Sequence, residues 1–312
     1  MKTISLSGAD LVASNVILGQ MRIWEKTDDE IRALARAGLE AGVNMVDHAD
    51  IYGGGVEHRC EERFAQALQL TPSQRSQLII QTKCGINLAE NYFDFSAQRI
   101  LTQVEGSLKA LQTDYIDILL LHRPDALVEP EEVAQALDQL HRQGKVLHFG
   151  VSNHTPNQIE LLKTAVTQPL IVNQLQLSIP HSSLVAAPLA ANMANLDQSI
   201  DRDNGLLDYC RIHHITVQAW SPFQHGFFRG TFLGDRENFA ALNDVLDRLA
   251  AQYQVTPLAI ATAWILRHPA RPQVVLGTTR PDRVREACAG SDLVLTRPEW
   301  YELFKAAGHR VP

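Results

Sequence analysis

Short aliphatic and β-branched runs recur along this chain, each followed by a stretch in which apolar residues return every three or four positions. The first pattern is that of strands and the second that of amphipathic helices. The runs predict strands at Val16–Leu18, Asn44–Asp47, Leu78–Thr82, Tyr115–Leu121, Val146–Val151, Leu170–Gln174, Thr216–Trp220 and Gln273–Leu276. Helical periodicity covers 28–41, 57–69, 97–111, 131–143, 156–165, 204–212, 239–266 and 281–288. Ser96 before Ala97, and Thr155 before Pro156, supply an N-cap or an N1 proline where two of these helices should begin. Most strand runs are continuously apolar rather than alternating, as expected of a sheet covered on both faces.

Eight strand–helix units in 312 residues fit a (β/α)8 TIM barrel, an α/β fold, built by the chain as a single domain. A doubly wound sheet would carry G-x-G-x-x-G after its first strand, and here that turn reads GQMRIW. No Pro/Gly/Ser-rich linker marks a second domain. The opening ISLSGADLVAS reads as a β-hairpin with Gly8 near its turn, suited to cap the barrel's bottom. Two longer interruptions, Ser178–Asn204 and Pro222–Asn238, follow strands six and seven. Loops after strands lie at the active-site end of such a barrel, which makes these candidate lids or cofactor clasps.

Composition narrows the partners. Hydrophobic residues at 45% and charged residues at 20% are ordinary for a protein with a sizeable core. A net charge of −7 without any Lys/Arg-rich run argues against nucleic acid and membrane as partners. Cys60, Cys84, Cys210 and Cys288 lie far apart with no C-x-x-C pair, against a structural zinc site or a disulfide framework. Reduced thiols, no signal-like apolar stretch and no run of membrane-spanning length point to a cytoplasmic protein.

The carboxyl ends of barrel strands converge on one mouth, so polar residues there carry the candidate chemistry. Strand two ends in VDHADIYGG, bringing Asp47 and Tyr52; strand three ends in QTKCG, bringing Lys83; strand four ends in LLLHRPD, bringing His122. Together these four make a proton-donating device. An ammonium about 4 Å from a phenol favours phenolate by roughly 1 to 4 kcal/mol, or about one to three pKa units. On this reading Tyr52 is a general acid/base and Asp47 orients Lys83. His122 hydrogen-bonds the substrate oxygen. Hydride must come from a cofactor, because no side chain donates it. Trp24, Arg123 and Phe223 are expected to line the substrate pocket, an aromatic surface that suits aldehydes, ketones or dicarbonyls.

The ordered series VDHADIYG, QTKCG, LLHRPD, GKVLHFGVSN, NQLQLS, QAWSPF and LGTTRPDRV resembles the aldo-keto reductases along nearly the whole chain. The resemblance implies a (β/α)8 barrel and NADP(H)-dependent carbonyl reduction, with Tyr52 as acid/base and Asp47, Lys83 and His122 in support. It implies that Ser152, Asn153 and Gln174 hold the nicotinamide carboxamide and that Trp220 stacks on its ring. Ser221, Pro222 and Gly226 then begin the loop that clasps the pyrophosphate, and Thr278, Arg280 and Arg283 form an anion site at the start of the last barrel helix. Where many relatives carry Lys and Asn, this chain has Gly277 and Ala287. Arg280 is the residue expected to meet the 2′-phosphate in place of that lysine.

Some of the polar residues near the mouth admit other readings. His48, Asp50 and His58 include possible metal ligands, but no H-x-H or H-E-x-x-H pattern accompanies them, and no metal is expected. His213 and His214 precede strand seven, away from the mouth, and read as structural. The different functional class is a slow, NADPH-binding regulatory subunit of the same fold, which the complete Asp-Tyr-Lys-His set argues against. A monomer and a weak oligomer are equally compatible with the composition.

Overall fold

Strand one (Val16–Gly19) hydrogen-bonds to both strand two (Met45–Asp47) and strand eight (Gln273–Leu276), which closes an eight-stranded parallel barrel. The computed structural model describes Met1–Pro312 throughout. The remaining strands are three (Ile79–Cys84), four (Ile116–Leu121), five (Val146–Ser152), six (Leu170–Gln176) and seven (Thr216–Trp220). Every residue of strands three and four is buried, and the aliphatic runs Leu78–Ile80 and Ile118–Leu121 reflect cover on both faces.

Side chains alternate between the barrel's interior and its helical jacket. Val16 and Leu18 join the large core shared with the helices, whereas Ile17 packs inward with Met45, Ile79, Ile118, Leu120 and Val275. The expected hairpin forms from Thr3–Leu6 and Leu11–Ser14, and its Ile4, Leu6 and Ala13 belong to that inward cluster. They plug the barrel floor. His213 and His214 lie at this end, beside Ser7 and Gly8 of the hairpin.

Helices begin where the caps expect them. Thr27 Oγ1 accepts from the Glu30 amide while the Glu30 carboxylate accepts from the Thr27 amide, closing a capping box at the start of Asp28–Glu40. Ser96 caps Ala97–Leu111 through the Arg99 amide. The helical stretch expected at 239–266 is two helices, Ala240–Tyr253 and Pro257–Leu266. Gln254 takes a left-handed turn (φ 55°) and Thr256 caps the second helix, whose Pro257 brings no amide proton to continue the first. The 57–69 stretch is helical only over Arg59–Leu68.

Several elements go beyond the sequence reading, among them the short helix Pro72–Arg75 and a hairpin of Ile86–Asn87 with Tyr92–Phe93. A short helix, Ser183–Leu189, forms within the long interruption after strand six. Another is Arg297–Ala306, pinned to Pro257–Leu266 by stacked indoles 4.8 Å apart. Trp264 Nε1 donates to the Trp300 carbonyl and Trp300 Nε1 to the Trp264 carbonyl. The four cysteines are free and buried. No helix is long and apolar enough to cross a membrane.

Candidate active site

Asp47 ends strand two and Lys83 sits near the end of strand three, both withdrawn from solvent. Stripping an ammonium of water is costly unless its donors are matched. Here Lys83 Nζ donates to Asp47 Oδ1 and Oδ2 at 2.8 and 2.7 Å, to the His48 carbonyl at 2.7 Å and to the Tyr52 hydroxyl at 3.3 Å. Burial alone would lower the lysine's pKa, but Asp47 and Tyr52 outweigh it and hold the ammonium charged.

Tyr52 reaches this group from the turn after strand two. Gly54, two residues on, is left-handed (φ 65°) and so close to Trp24 that a Cβ would stand 2.9 Å from the indole. That contact folds the turn down over the mouth. Burial pushes the Tyr52 phenol above its ordinary pKa and Asp47 adds to this, while Lys83 acts against both. The downward shift expected from the lysine alone is thus reversed, because sequence proximity does not register desolvation. The phenol keeps its proton at neutral pH.

His122 follows strand four directly and meets Tyr52 edge to face, with ring centroids 6.0 Å apart. Burial, then Lys83 and Arg123, drive its pKa well below the usual imidazole range, so the ring is neutral. Asp47, Tyr52 and His122 open onto a cavity of about 810 Å³ at the carboxyl ends of the strands, with Lys83 beneath them.

Ser152, Asn153, Gln174, Trp220, Ser221 and Pro222 line the same cavity, as do Trp24, Arg123 and Phe223. Trp220 Nε1 donates to Asn153 Oδ1 at 3.0 Å, which fixes the indole plane. Asn153 itself sits at φ 61°, a conformation asparagine tolerates well. Both N–H bonds of the Gln174 amide are spent on Asp47 and Gln218, and no protein donor meets its Oε1. That oxygen is a ready acceptor for a carboxamide. Thr278 and Arg283 line the far end of the cavity.

Two of the expected cofactor residues, Arg280 and Gly226, stand outside the cavity lining. Arg280 lies outside the cavity lining, exposed, with Nε donating to Asp282 Oδ1 at 3.1 Å and a second bond joining the same pair. Asp282, two residues along the chain, is the ion-pair partner of this cation. Gly226 is buried behind its loop, and Gln224, Phe227 and Phe228 line the cavity there instead.

Other lining residues were absent from the sequence reading. Arg22 spans two loops, its Nη1 donating to the Gly277 carbonyl at 2.6 Å. Its signal was its place just beyond strand one. Arg236 also lines the cavity and is ion-paired to Asp244 and Asp247. His48 and Asp50 lie buried behind the site, and no group of three or more His, Cys, Asp or Glu is arranged to hold a metal ion.

The aldo/keto reductase family model matches residues 15–307. Oxidoreductase YdhF of Escherichia coli (strain K12) is 34% identical, with 99% of this chain and 98% of that protein covered. The 6-dehydroglucose reductase of Agrobacterium fabrum (strain C58) is also 34% identical, with 98% of each covered. Among solved structures, the thermostable aldo-keto reductase Tm1743 in complex with the inhibitor epalrestat aligns with a TM-score of 0.75 at 25% identity, covering 98% of this chain and 100% of that one. With a closed parallel barrel and a family match running from strand one into the last helix, the chain belongs to the aldo/keto reductase family of oxidoreductases.

Proposed function

We propose that this protein is an NADP(H)-dependent reductase that converts aldehydes or ketones to alcohols, with Tyr52 as the proton donor. The observation that carries this reading is the buried, ion-paired Lys83 ammonium 3.3 Å from the Tyr52 hydroxyl. Bound NADPH supplies the hydride that no side chain can donate. Tyr52 holds a proton at neutral pH and gives it to the oxygen that gains charge as the carbonyl is reduced. Lys83 stabilises the phenolate left behind, and Asp47 keeps Lys83 charged. His122, neutral, hydrogen-bonds the carbonyl oxygen and sets it against Tyr52. That complete set favours turnover over a purely regulatory role.

Gln174 Oε1, with Ser152 and Asn153, suits the nicotinamide carboxamide, and the indole of Trp220 suits its ring. Ser221, Pro222, Arg22, Thr278 and Arg283 stand where the phosphates and adenosine are expected. Arg280 meets a 2′-phosphate only after releasing Asp282. Trp24, Phe223 and Arg123 form the substrate side. Arg123 makes no ion pair within the protein and lies over the Trp220 ring at 5.7 Å. Its donors suit a carbonyl compound rich in oxygen, and the relative named for 6-dehydroglucose makes such compounds the first to try. An acidic chain with free thiols fits a cytoplasmic protein acting on small molecules.

The test follows NADPH absorbance with a panel of aldehydes and ketones for the wild type and Tyr52→Phe. Turnover that collapses in the variant, with NADPH still bound, supports the reading. Undiminished turnover in Tyr52→Phe overturns it.

A further inference from the structure

Four glutamines occupy the interior of the barrel, where branched aliphatic side chains are the usual filler. Gln174, Gln218 and Gln273 stand in register on strands six, seven and eight, and Gln81 stands in register with Asp47 on strands three and two. Because barrel strands are tilted, the row of three descends from the cleft, lined by Gln174, to the floor. All four are buried. An unpaired amide in such a place costs several times what a paired one contributes.

None of these N–H bonds is left idle. Gln81 Nε2 donates to Asp47 Oδ1 at 2.6 Å and to Gln218 Oε1 at 2.8 Å. Gln174 Nε2 donates to the same two oxygens at 2.9 and 3.1 Å. Gln218 Nε2 donates to Gln81 Oε1 at 3.1 Å and to Gln273 Oε1 at 3.0 Å. Gln273 Nε2 donates to the Ser14 carbonyl at 2.8 Å and approaches Met45 Sδ at 3.7 Å. The network ends on a carboxylate above and a backbone carbonyl below, both acceptors in this setting. Reversing any one amide would set acceptor against acceptor or donor against donor, so the orientation of the whole set is determined.

We propose that Gln81, Gln218 and Gln273 are positioning residues that fix the Asp47 carboxylate from below, and through it the reach of Lys83 to Tyr52, while committing Gln174 to present only its oxygen to the cleft. This rests on the reading of Tyr52 as proton donor. Had the row served packing alone, aliphatic residues would fill it at lower cost, as they do in the adjoining cluster of Ile17, Met45, Ile79 and Ile118. The groups bearing on Tyr52 are Lys83, Asp47, Cys60, His122 and Arg123. The network touches only Asp47 among them.

Gln81→Met keeps the volume and removes one donor from Asp47. Its carboxylate is then less compensated, and the Tyr52 proton is held more tightly. The expected result is a kcat lower by about tenfold and a basic limb of the kcat–pH profile moved upward by about half a unit or more. NADPH affinity, read by fluorescence titration, should stay within about twofold, since Gln81 does not line the cleft. Gln218→Met, which leaves Asp47 untouched, should move the limb the same way by less, and it decides the matter if Gln81→Met does not fold. Folded variants that lose only thermal stability, with wild-type kcat and pH profile, overturn the proposal. Tyr52→Phe in the same assay separates the two claims. Loss of turnover there beside a wild-type profile in Gln81→Met refutes only the positioning role, whereas retained turnover refutes the catalytic reading.

Discussion

The Lys83 ammonium stands 3.3 Å from the Tyr52 hydroxyl and donates to it from a position wholly withdrawn from solvent. Removing that cation should affect both chemistry and stability. Lys83→Met is expected to lower kcat by about a hundredfold or more, because the phenolate then forms without a counter-charge. It also strands the Asp47 carboxylate, a loss of about 3 to 5 kcal/mol by analogy with broken buried pairs. Steady-state rates and urea unfolding of the same preparation read both effects. A rate within threefold of wild type would remove Lys83 from the mechanism.

Arg280 and Asp282 hold each other outside the cleft. If Arg280 swings across to a 2′-phosphate, Arg280→Ala weakens NADPH binding far more than NADH binding. Asp282→Ala, by freeing the arginine, should tighten NADPH. Arg22 faces the cleft from the opposite loop and is expected to serve the phosphates common to both cofactors. Arg22→Ala should therefore weaken the two about equally. Fluorescence titrations with each cofactor decide this, and equal losses in Arg280→Ala would sink the assignment of 2′-phosphate selectivity to that residue.

Arg123 offers guanidinium donors to the cleft with no carboxylate of its own to satisfy them. Arg123→Leu is expected to raise KM at least about tenfold for an aldehyde that carries a carboxylate or a row of hydroxyls. Simple apolar aldehydes should change by less than about threefold in the same assay. A uniform rise across both classes would assign Arg123 to shaping the pocket instead of recognising oxygen.

Strand positions were legible in this chain because both faces of each strand are covered, which leaves aliphatic runs such as Leu78–Ile80 and Ile118–Leu121. The site was legible for a related reason. A lysine near the end of one buried strand and a histidine directly after another mark the carboxyl-terminal end of the barrel. What escaped was set by contacts distant in sequence or by desolvation. Arg22 meets Gly277 across most of the chain, and the sign of the Tyr52 shift depends on burial that no motif encodes. The interior glutamines form a row only through the register of neighbouring strands, which no local motif encodes. Arg297–Ala306 was different. Thr296, Pro298 and Glu299 do carry a helix-start signal, and the capping box they announce is present.

His48 offers a test of how the site is built rather than how it works. Its ring is fully buried edge-on against Phe64, with centroids 4.8 Å apart, and neither nitrogen has a partner. Burial, reinforced by Lys83, pushes its pKa from 6.5 down to about 3. The unfolded chain therefore takes up a proton below pH 6.5 that the folded chain refuses. Its contribution to stability is intact above pH 6.5 and is lost as pH falls toward about 3. Asp50, raised to about 8 by burial and Glu61, acts in the opposite sense, since its fold-compatible form is the protonated one. The comparison of His48→Leu with wild type isolates the histidine from that background. The variant keeps the backbone carbonyl that accepts from Lys83 and deletes the two orphaned nitrogens. It should be at least as stable at pH 7. Between pH 6 and 4 its advantage should grow by up to about 1.4 kcal/mol per pH unit, the slope of one proton. Urea unfolding at a series of pH values measures this. A constant difference would mean that the folded protein admits a proton, or water, to the His48 ring.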